Sequence, residues 1–293
     1  MRVQTRKRQH QSGKFLGAGE IELYYQSWHP VLPPRAVLVI VHGLGAHSGI
    51  FRQLAEFVCD RQITVYALDL RGHGRSEGQR GHINSWSEFR QDLNAFIQLV
   101  STKEPTLPLY LLGQSLGGTI SLDYALRYGN QRHKNKLQGL ILFSPALKVK
   151  TKLLKKISGR LFSRLLPRFT VNTDSQARTF SCDPQMVAKA ICDPLRHTKA
   201  SARLATEFWQ TAAWIEAHAI SLKIPLLILH GGADQVTLPK PIVKFFANIA
   251  LADKERLEYA QRHHELQNDL DCKTVFVDLE NWIERHLETG LSS

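Results

Sequence analysis

Apolar runs and amphipathic stretches alternate along most of this chain. Residues 36–41, 63–68 and 109–112 are short runs of mostly aliphatic side chains, which is typical of strands buried on both faces. Residues 86–100 carry apolar side chains at the spacing of one helix face. This alternation indicates an α/β fold with a mainly parallel sheet flanked by helices. Similar patterns predict further strands at residues 20–28, 137–143, 225–230 and 257–260, and further helices at residues 51–60, 116–128, 242–250 and 275–286.

The alternation stops between residues 146 and 220. No run in this stretch is apolar enough for a buried strand, and its pattern is helical, with Asp-Pro breaks at residues 183–184 and 193–194. An insertion between two core strands most simply forms a cap over the carboxyl ends of the sheet, where α/β proteins place their sites. The pattern therefore predicts a core of residues 14–146 and 221–293, a helical cap of residues 147–220 and a basic, flexible tail of residues 1–13.

Ser115 stands between a predicted strand and a predicted helix, with Gly113 two residues before it and Gly117 two residues after it. This arrangement predicts a nucleophile elbow, a turn so tight that a Cβ atom at either glycine would collide with a neighbouring strand or helix. The turn presents the serine hydroxyl to a substrate and a base. The N–H group of Leu116, at the start of the helix, can then stabilise developing negative charge.

A serine nucleophile needs a base that is held by a carboxylate, and in a sheet of this type the acid and then the histidine follow it in the chain. Asp234 follows a predicted strand and a glycine-rich turn, and His263 and His264 follow the last predicted strand. Both positions are carboxyl ends of strands, like that of Ser115. The alternatives are a turn aspartate that hydrogen-bonds locally and two solvated histidines.

The loop from His42 to Gly45 follows an early buried strand and supplies the second predicted donor to an oxyanion, the N–H group of Leu44. Its glycines allow the backbone to approach a substrate, although a plain glycine turn would look the same. The chain has no His and Cys cluster with zinc spacing, no phosphate-binding loop and no dinucleotide-binding glycine motif. We therefore expect neither a metal nor a cofactor.

Composition is that of an ordinary globular protein, since the 293 residues are 43% hydrophobic and 22% charged. No apolar run approaches the roughly 18 residues needed to span a bilayer. The basic N-terminus lacks the apolar segment of a secretory signal. The four cysteines, at positions 59, 182, 192 and 272, are scattered, which indicates reduced thiols in a cytoplasmic protein.

The net charge of +12 is concentrated in two segments. Residues 1–19 hold five Lys or Arg, and residues 147–168 hold eight, with no acidic residue in either segment. In the second segment, Leu and Ile side chains lie near helical spacing among the basic ones, which predicts peripheral contact with an anionic membrane surface. The alternative is a cap helix whose apolar stripe packs on the core. Neither segment has interleaved aromatic residues, so nucleic acid is not an expected partner.

The combination of motifs resembles the monoacylglycerol lipase and lysophospholipase branch of the α/β-hydrolase superfamily. The resemblance implies an α/β-hydrolase fold with a helical cap, Ser115 as nucleophile, Asp234 as acid and a histidine base. The family's C-terminal motif matches residues 264–269 with the base first, which favours His264 over His263. It also implies Leu44 and Leu116 as oxyanion donors. The resemblance spans roughly residues 14–287 and includes residues 42–49, 69–76, 113–118, 143–146, 193–195 and 231–234.

The resemblance also implies a reaction, hydrolysis of a lipid ester such as a monoacylglycerol or a lysophospholipid through an acyl-enzyme. Family members that act on monoacylglycerol usually carry an acid at the position of Ala46 and an arginine at the position of Ile50. The ester class is therefore indicated more strongly than the head group. The alternatives are another acyl reaction by the same residues, such as peptide cleavage, acyl transfer or perhydrolysis, and a non-catalytic interaction protein that keeps the fold.

Overall fold

An eight-stranded sheet forms the centre of the computed structural model, which describes residues 8–129, 137–148, 163–173 and 179–290. The spatial order of its strands is β1-β2-β4-β3-β5-β6-β9-β10. The first two neighbouring pairs are antiparallel and all the others are parallel. In chain order the strands are β1 (Gln9–Leu16), β2 (Glu22–His29), β3 (Ala36–Val41), β4 (Ile63–Leu68), β5 (Leu109–Gln114), β6 (Leu137–Phe143), β7 (Thr170–Asn172), β8 (Lys199–Ser201), β9 (Leu226–Gly231) and β10 (Lys254–Tyr259), of which β7 and β8 form a separate antiparallel pair.

Helices cover both faces of the sheet. Side chains of β3 alternate between two apolar layers, with Val39 in one and Leu38 in the other, as a strand buried on both faces requires. The α-helices of the described ranges are α1 (Arg52–Cys59), α2 (Trp86–Lys103), α3 (Leu116–Tyr128), α4 (Pro184–Cys192), α5 (Ala202–His218), α6 (Pro239–Ala247) and α7 (Cys272–Gly290). The layer that contains Val39 includes side chains of α2, α3, α5 and α6, and the other includes side chains of α1 and α7.

The predicted α/β-hydrolase architecture is confirmed, and several boundaries coincide with the sequence pattern. The predicted strands at residues 36–41, 63–68 and 137–143 and the predicted helix at residues 116–128 have the observed bounds. Helix α6 begins three residues before its prediction, because Pro239 occupies its first turn, where a missing N–H group costs nothing. Strand β10 also begins three residues early, since its charged first half has no apolar signal.

The N-terminal segment departs from the sequence expectation. Residues 9–13 fall in the predicted tail but belong to β1, which pairs along its whole length with β2. The pattern missed this strand because it is an edge strand whose side chains are mostly exposed, so it lacks apolar alternation. Residues 1–7 of the predicted tail lie outside the described residues.

The inserted region contributes α4, α5 and the short β7–β8 pair. Helix α5 packs on α2 and α3 through buried Leu204, Phe208 and Ile215, and this contact places it beside the nucleophile helix. Most of the basic segment, residues 149–162, lies outside the described residues. Within the described ranges, no helix combines the length and the apolar character that a membrane span requires.

Candidate active site

The predicted nucleophile elbow is present between β5 and α3. Ser115 has φ +53° and ψ −118°, a conformation that non-glycine residues rarely adopt. A Cβ atom on Gly117 would lie 2.1 Å from the carbonyl oxygen of Val41, and one on Gly113 would lie 2.5 Å from that of Gly117. The N–H group of Ser115 donates to the carbonyl oxygen of Phe143 at 3.0 Å. The two glycines and the neighbouring strands therefore enforce the strained turn.

Asp234 and His264 form a buried acid–base pair. His264 Nδ1 lies 2.7 Å from Asp234 Oδ2, and each residue is 3% exposed. The backbone N–H groups of Val236 and Thr237 donate to Asp234 Oδ1 at 2.7 and 2.9 Å. The loops that carry the pair are joined by their own backbone, because the N–H group of Gly232 donates to the carbonyl oxygen of Tyr259 at 2.8 Å. The carboxylate is therefore fixed in position before any substrate binds.

The electrostatics of the pair favour an ionised acid. Burial alone would raise the pKa of Asp234. The neighbouring His264 and hydrogen bonds from His230, His264 and the Thr237 backbone outweigh that effect and hold the pKa of this carboxyl well below its usual range. An ionised carboxylate accepts a hydrogen bond from the N–H group at His264 Nδ1, so in the neutral ring the lone pair is on Nε2. This tautomer is the one that can act as a general base.

Ser115 lines a cavity of about 440 Å³ that also reaches Thr237, a neighbour of Asp234 and His264. Ser115 and Thr237 both line it, and the Thr237 hydroxyl lies 3.2 Å from His264 Nδ1. Among the described residues, no hydrogen bond joins the Ser115 hydroxyl to His264. In free enzymes such contacts are often long and tighten only when substrate is bound. The structure thus joins Asp234 directly to His264 and places Ser115 at the cavity that Thr237, the neighbour of both, also lines.

Leu44 and Leu116, the two predicted oxyanion donors, line this cavity beside Ser115. Leu116 is the first residue of α3, where N–H groups have no intrahelical acceptor. Leu44 lies in the loop after β3, which the inserted region holds: the N–H group of His197 donates to the carbonyl oxygen of Gly45 at 3.0 Å. The backbone of the loop that carries Leu44 is therefore in direct contact with the inserted region.

His263, the competing candidate base, makes no contact with Asp234. Its Nδ1 atom lies 3.8 Å from Asp269 Oδ2, and its N–H group donates to the same oxygen at 2.6 Å. The structure therefore brings His264, and not His263, to the predicted acid. This outcome agrees with the order of residues that the family motif implies.

Two polar residues beside the pair were not singled out as functional by the sequence. The Thr237 hydroxyl lies 2.8 Å from Asp234 Oδ2 and 3.1 Å from the carbonyl oxygen of Ser144, which are two acceptors for its one proton. His230 is fully buried and donates through Nε2 to the carbonyl oxygen of Thr237 at 2.7 Å. The only sequence signal for Thr237 is its position three residues after Asp234, where turn hydroxyls commonly bond.

A buried ion pair fixes the inserted region to the loop that carries His264. Arg196 donates to both carboxylate oxygens of Glu265, at 2.7 and 2.8 Å, and the N–H group of Glu265 donates to the carbonyl oxygen of Phe180 at 2.7 Å. Burial alone would raise the pKa of Glu265, but the charge of Arg196 and its hydrogen bonds outweigh burial and lower it. Because Glu265 follows His264 in the chain, this ion pair holds the predicted base from the side of the insertion.

A second cavity of about 260 Å³ lies at the same junction. It is lined by His47, Ile50, Phe180 and Asp193 among others, and Phe180 also lines the larger cavity. His47 Nε2 lies 2.8 Å from Asp193 Oδ2, so these two polar side chains satisfy each other. Ile50 is one of the two positions that depart from the family pattern, and it gives this cavity an apolar wall.

Comparison with known proteins agrees with this geometry. The chain matches the family model described as serine aminopeptidase, S33, over residues 32–271. It is 32% identical to a monoacylglycerol lipase of Mycolicibacterium smegmatis over 279 residues, which cover 93% of this chain and 96% of the relative. The crystal structure of a Paleococcus ferrophilus monoacylglycerol lipase is 29% identical, with a TM-score of 0.81 and coverage of 90% of this chain and 99% of that one. A soluble variant of the Saccharomyces cerevisiae monoglyceride lipase, crystallised with a substrate analogue, is 25% identical, with a TM-score of 0.84 and coverage of 98% of both chains.

Proposed function

The chain belongs to the serine aminopeptidase S33 family of hydrolases, and from this premise we propose that it hydrolyses monoacylglycerol-like lipid esters with Ser115, Asp234 and His264. It is a serine ester hydrolase of the α/β-hydrolase fold. The observation that carries the assignment of residues is the buried contact of 2.7 Å between His264 Nδ1 and Asp234 Oδ2, beside Thr237, which lines the same cavity as Ser115. Similarity to proteins named monoacylglycerol lipase supports the substrate class.

The proposed reaction proceeds through an acyl-enzyme. His264 Nε2 takes the proton of the Ser115 hydroxyl while the oxygen attacks the ester carbonyl, and Asp234 stabilises the resulting imidazolium. The N–H groups of Leu44 and Leu116 donate to the tetrahedral oxyanion. The alcohol departs with the proton held on His264. Water then attacks the acyl-enzyme with the same histidine as base, which releases the fatty acid and restores the serine.

The shape and lining of the larger cavity suit an acyl chain. Its walls include Leu204, Phe208, Trp209 and Leu238, which offer apolar surface but few hydrogen bonds. This lining favours binding of the hydrocarbon part of a substrate, since binding there removes apolar surface from water. We therefore place the acyl chain beneath α5 and the alcohol on the other side of Ser115.

The lining of the smaller cavity bears on head-group selectivity. Ala46 is buried, and Ile50 contributes only apolar atoms, so neither side chain can bond to a glycerol hydroxyl. We propose that selection of the head group is weak and that lysophospholipids are also cleaved. A panel of monoacylglycerols and lysophospholipids of matched acyl length measures this directly. A strict preference for monoacylglycerol would contradict weak selection.

Replacement of the nucleophile tests the assignment. Ser115→Ala is expected to lower hydrolysis of p-nitrophenyl esters and monoacylglycerols by at least about a thousandfold, because the attacking oxygen is lost. Ser12→Ala, on the exposed edge strand β1, is the matched control and should behave as the wild type. A fluorophosphonate probe should label the wild type and the control but not Ser115→Ala. Unlabelled wild type would favour the non-catalytic alternative, and an active Ser115→Ala would refute the assignment.

We also propose that the enzyme is cytoplasmic and that the cap docks on anionic membranes. The four cysteines are free, as suits a reducing compartment. Apolar side chains are exposed at the described end of the basic segment. Leu165 is 69% exposed and Phe169, which follows the segment, is 57% exposed, and Arg164 and Arg168 precede them in the chain. Apolar side chains flanked by basic ones suit the boundary between lipid head groups and acyl chains. This surface would deliver lipid substrates to the cavity.

Vesicle co-sedimentation measures this docking. The wild type should sediment with vesicles that contain phosphatidylserine and less with neutral ones, and the paired change Leu165→Ser and Phe169→Ser should weaken binding. Val277→Ser, on α7 and 39% exposed before substitution, is the control because α7 covers the opposite face of the sheet. Equal binding to both vesicle types, or equal loss in the control, would contradict the proposal.

A further inference from the structure

Three metal-ligating side chains meet where the cap contacts the base-bearing loop. Cys182 precedes α4, and His263 and Asp269 flank the loop after β10. The Sγ, Nδ1 and carboxylate atoms of the three residues all lie within 4.8 Å of one another. We propose that Cys182, His263 and Asp269 form a binding site for a divalent cation of the zinc class. The hydrolysis described above neither requires this site nor uses its side chains.

The distances suit a tetrahedral ion after small adjustments. Zinc bonds of about 2.0–2.3 Å at tetrahedral angles place two ligand atoms about 3.3–3.6 Å apart. Cys182 Sγ lies 2.8 Å from Asp269 Oδ1, and His263 Nδ1 lies 3.8 Å from Asp269 Oδ2. These two distances involve different oxygens of Asp269, so the carboxylate must turn to offer one oxygen, and the side chains must shift by about 1 Å through side-chain rotation. Three protein ligands leave a fourth position for water.

The ligands are held by contacts around them, as metal ligands commonly are. Asp269 accepts the N–H groups of Cys182 at 2.8 Å and of His263 at 2.6 Å, so its carboxylate is oriented by the backbone of both other ligands. The Ser181 hydroxyl lies 3.1 Å from Asp269 Oδ1. His263 Nδ1 is shielded from solvent and, among the described residues, has no hydrogen-bond partner. A ring nitrogen left without a partner in this setting is available to a cation.

The donor set selects the kind of ion. Thiolate, imidazole and carboxylate together suit Zn²⁺, while Mg²⁺ and Ca²⁺ prefer oxygen ligands alone. Binding displaces the proton that the thiol of Cys182 donates to Asp269, and that proton leaves to solvent. The ion would add a link between the cap and the loop that carries His264. Sequence spacing could not show this site, because Cys182 is far along the chain from the other two ligands.

Cobalt provides a readout that does not depend on ester hydrolysis. The full-length protein, reduced and stripped with a chelator, is titrated with Co²⁺, which occupies zinc sites and gives a near-ultraviolet charge-transfer band when a thiolate coordinates it. The wild type should develop this band to saturation at one equivalent, and Zn²⁺ should abolish it. Cys182→Ser should lack the band, while its hydroxyl can still donate to Asp269 and preserve the fold. Cys192→Ser, at the exposed end of α4, is the matched control and should keep the band.

A second variant and a thermal measurement complete the test. His263→Gln should weaken Co²⁺ binding at least tenfold, because the imidazole ligand is lost. Zn²⁺ should raise the melting temperature of the wild type and of Cys192→Ser but not of Cys182→Ser, since an ion that binds the folded state stabilises it. The proposal is overturned if the wild type gives no thiolate band, if the band survives in Cys182→Ser, or if Cys192→Ser removes it. None of these outcomes bears on the proposed hydrolysis.

Discussion

The carboxyl edge of the sheet and the cap junction are held together in different ways. At the carboxyl edge, which carries Ser115, Asp234 and His264, backbone groups do most of the positioning, as the contact of the Ser115 N–H group with Phe143 shows. At the cap junction, defined as the contacts of residues 179–197 with the core, charged side chains hold much of the interface. The bidentate pair of Arg196 with Glu265 is the clearest case.

This difference separates the consequences of mutation in the two regions. A side chain at the carboxyl edge can be exchanged for one of equal size without moving the backbone, so its loss should affect the chemistry and not the fold. The buried carboxylate of Glu265 at the cap junction has one charged partner, Arg196, besides a hydrogen bond from Asn268, and removal of Arg196 leaves the charge in a poorly solvated place. Mutations there should therefore lower stability first.

The largest expected effect is on catalysis at the carboxyl edge. Asp234→Asn should lower kcat by about 10⁴-fold, the loss seen when a triad aspartate becomes an amide and the histidine takes the wrong tautomer. The melting temperature should fall only modestly, because the amide keeps the shape of the side chain and loses only the stabilisation of the ionised form. Steady-state kinetics and thermal unfolding of one preparation measure both quantities.

The matched control is Asp253→Asn. Asp253 also lies beside a histidine, with His286 Nε2 at 3.2 Å, but its carboxylate is 54% exposed. This variant should keep wild-type kinetics. If both variants lose activity equally, or if Asp234→Asn stays active, the acid has been placed wrongly.

The next largest effect is on stability at the cap junction. Arg196→Met removes the partner of a carboxylate whose side chain is 6% exposed, and loss of one partner from a buried pair costs about 3–5 kcal/mol. Much of this loss should be recovered in the double variant Arg196→Met with Glu265→Gln, which leaves no buried charge. Denaturant unfolding of the two single variants and the double variant measures the coupling.

An exposed ion pair serves as the comparison. Arg52→Met breaks the contact of Arg52 with Glu56, whose side chains are 75% and 40% exposed, and exposed pairs contribute about 1 kcal/mol or less. If the buried and exposed pairs cost the same, the cap junction is not held by its charges and the contrast between the two regions fails.

Sequence reasoning succeeded at the carboxyl edge for a physical reason. A Cβ atom at Gly113 or Gly117 would lie too close to neighbouring backbone atoms, so only glycine fits at these positions. The two glycines are therefore visible in the sequence as a signal for the tight turn. Strand β3 and helix α3 could be placed because their apolar positions follow the period of the structure. Asp234 could be predicted beside His264, which it contacts in the structure, because carboxyl ends of parallel strands meet at one edge of a sheet.

The cap junction had no comparable signal. Arg196 and Glu265 are ordinary charged residues far apart in the chain, and only the folded insertion brings them together. Strand β7 is too short and too exposed to show a period. The hydrophobic pattern also could not distinguish His263 from His264, because the two residues are adjacent in one loop. The family motif favoured His264, and its contact with Asp234 agrees with that choice.

A smaller effect is expected at Thr237, which sharpens the account of the carboxyl edge. Thr237→Val removes the hydroxyl that lies 2.8 Å from Asp234 Oδ2 while keeping the shape of the side chain. A hydrogen bond to a charged group contributes about 1.5–3 kcal/mol, so kcat should fall by about 10- to 100-fold if the hydroxyl supports the ionised pair. KM should change little.

Thr237→Ser restores the hydroxyl and should recover most of the activity. Comparison of kcat, KM and melting temperature across the three proteins distinguishes positioning from packing. A loss in stability with unchanged kcat in Thr237→Val would show that the hydroxyl serves the fold alone, and the edge would then depend on backbone contacts entirely.

The smallest expected effect is a pH dependence of the free energy of unfolding, which arises from two buried histidines near Leu44. His42 and His73 are fully buried, and burial is the main cause that lowers the pKa of His42 to about 4 and the pKa of His73 well below its ordinary value. Their rings lie 5.3 Å apart, and His42 accepts the N–H group of Leu70 through Nε2, a contact that requires the unprotonated nitrogen.

Below about pH 6.5, His42 and His73 therefore bind protons in the unfolded chain but stay unprotonated in the folded chain. The free energy of unfolding should fall as the pH is lowered from 6.5 toward 5, by up to about 1.4 kcal/mol per pH unit for each histidine. Urea unfolding at pH 6.5, 5.8 and 5.0 measures the slope, and His42→Asn should reduce it. If the free energy of unfolding did not change over this pH interval, the buried rings of His42 and His73 would have the pKa of exposed histidines. The core around them would then accommodate a charge, as the cap junction does.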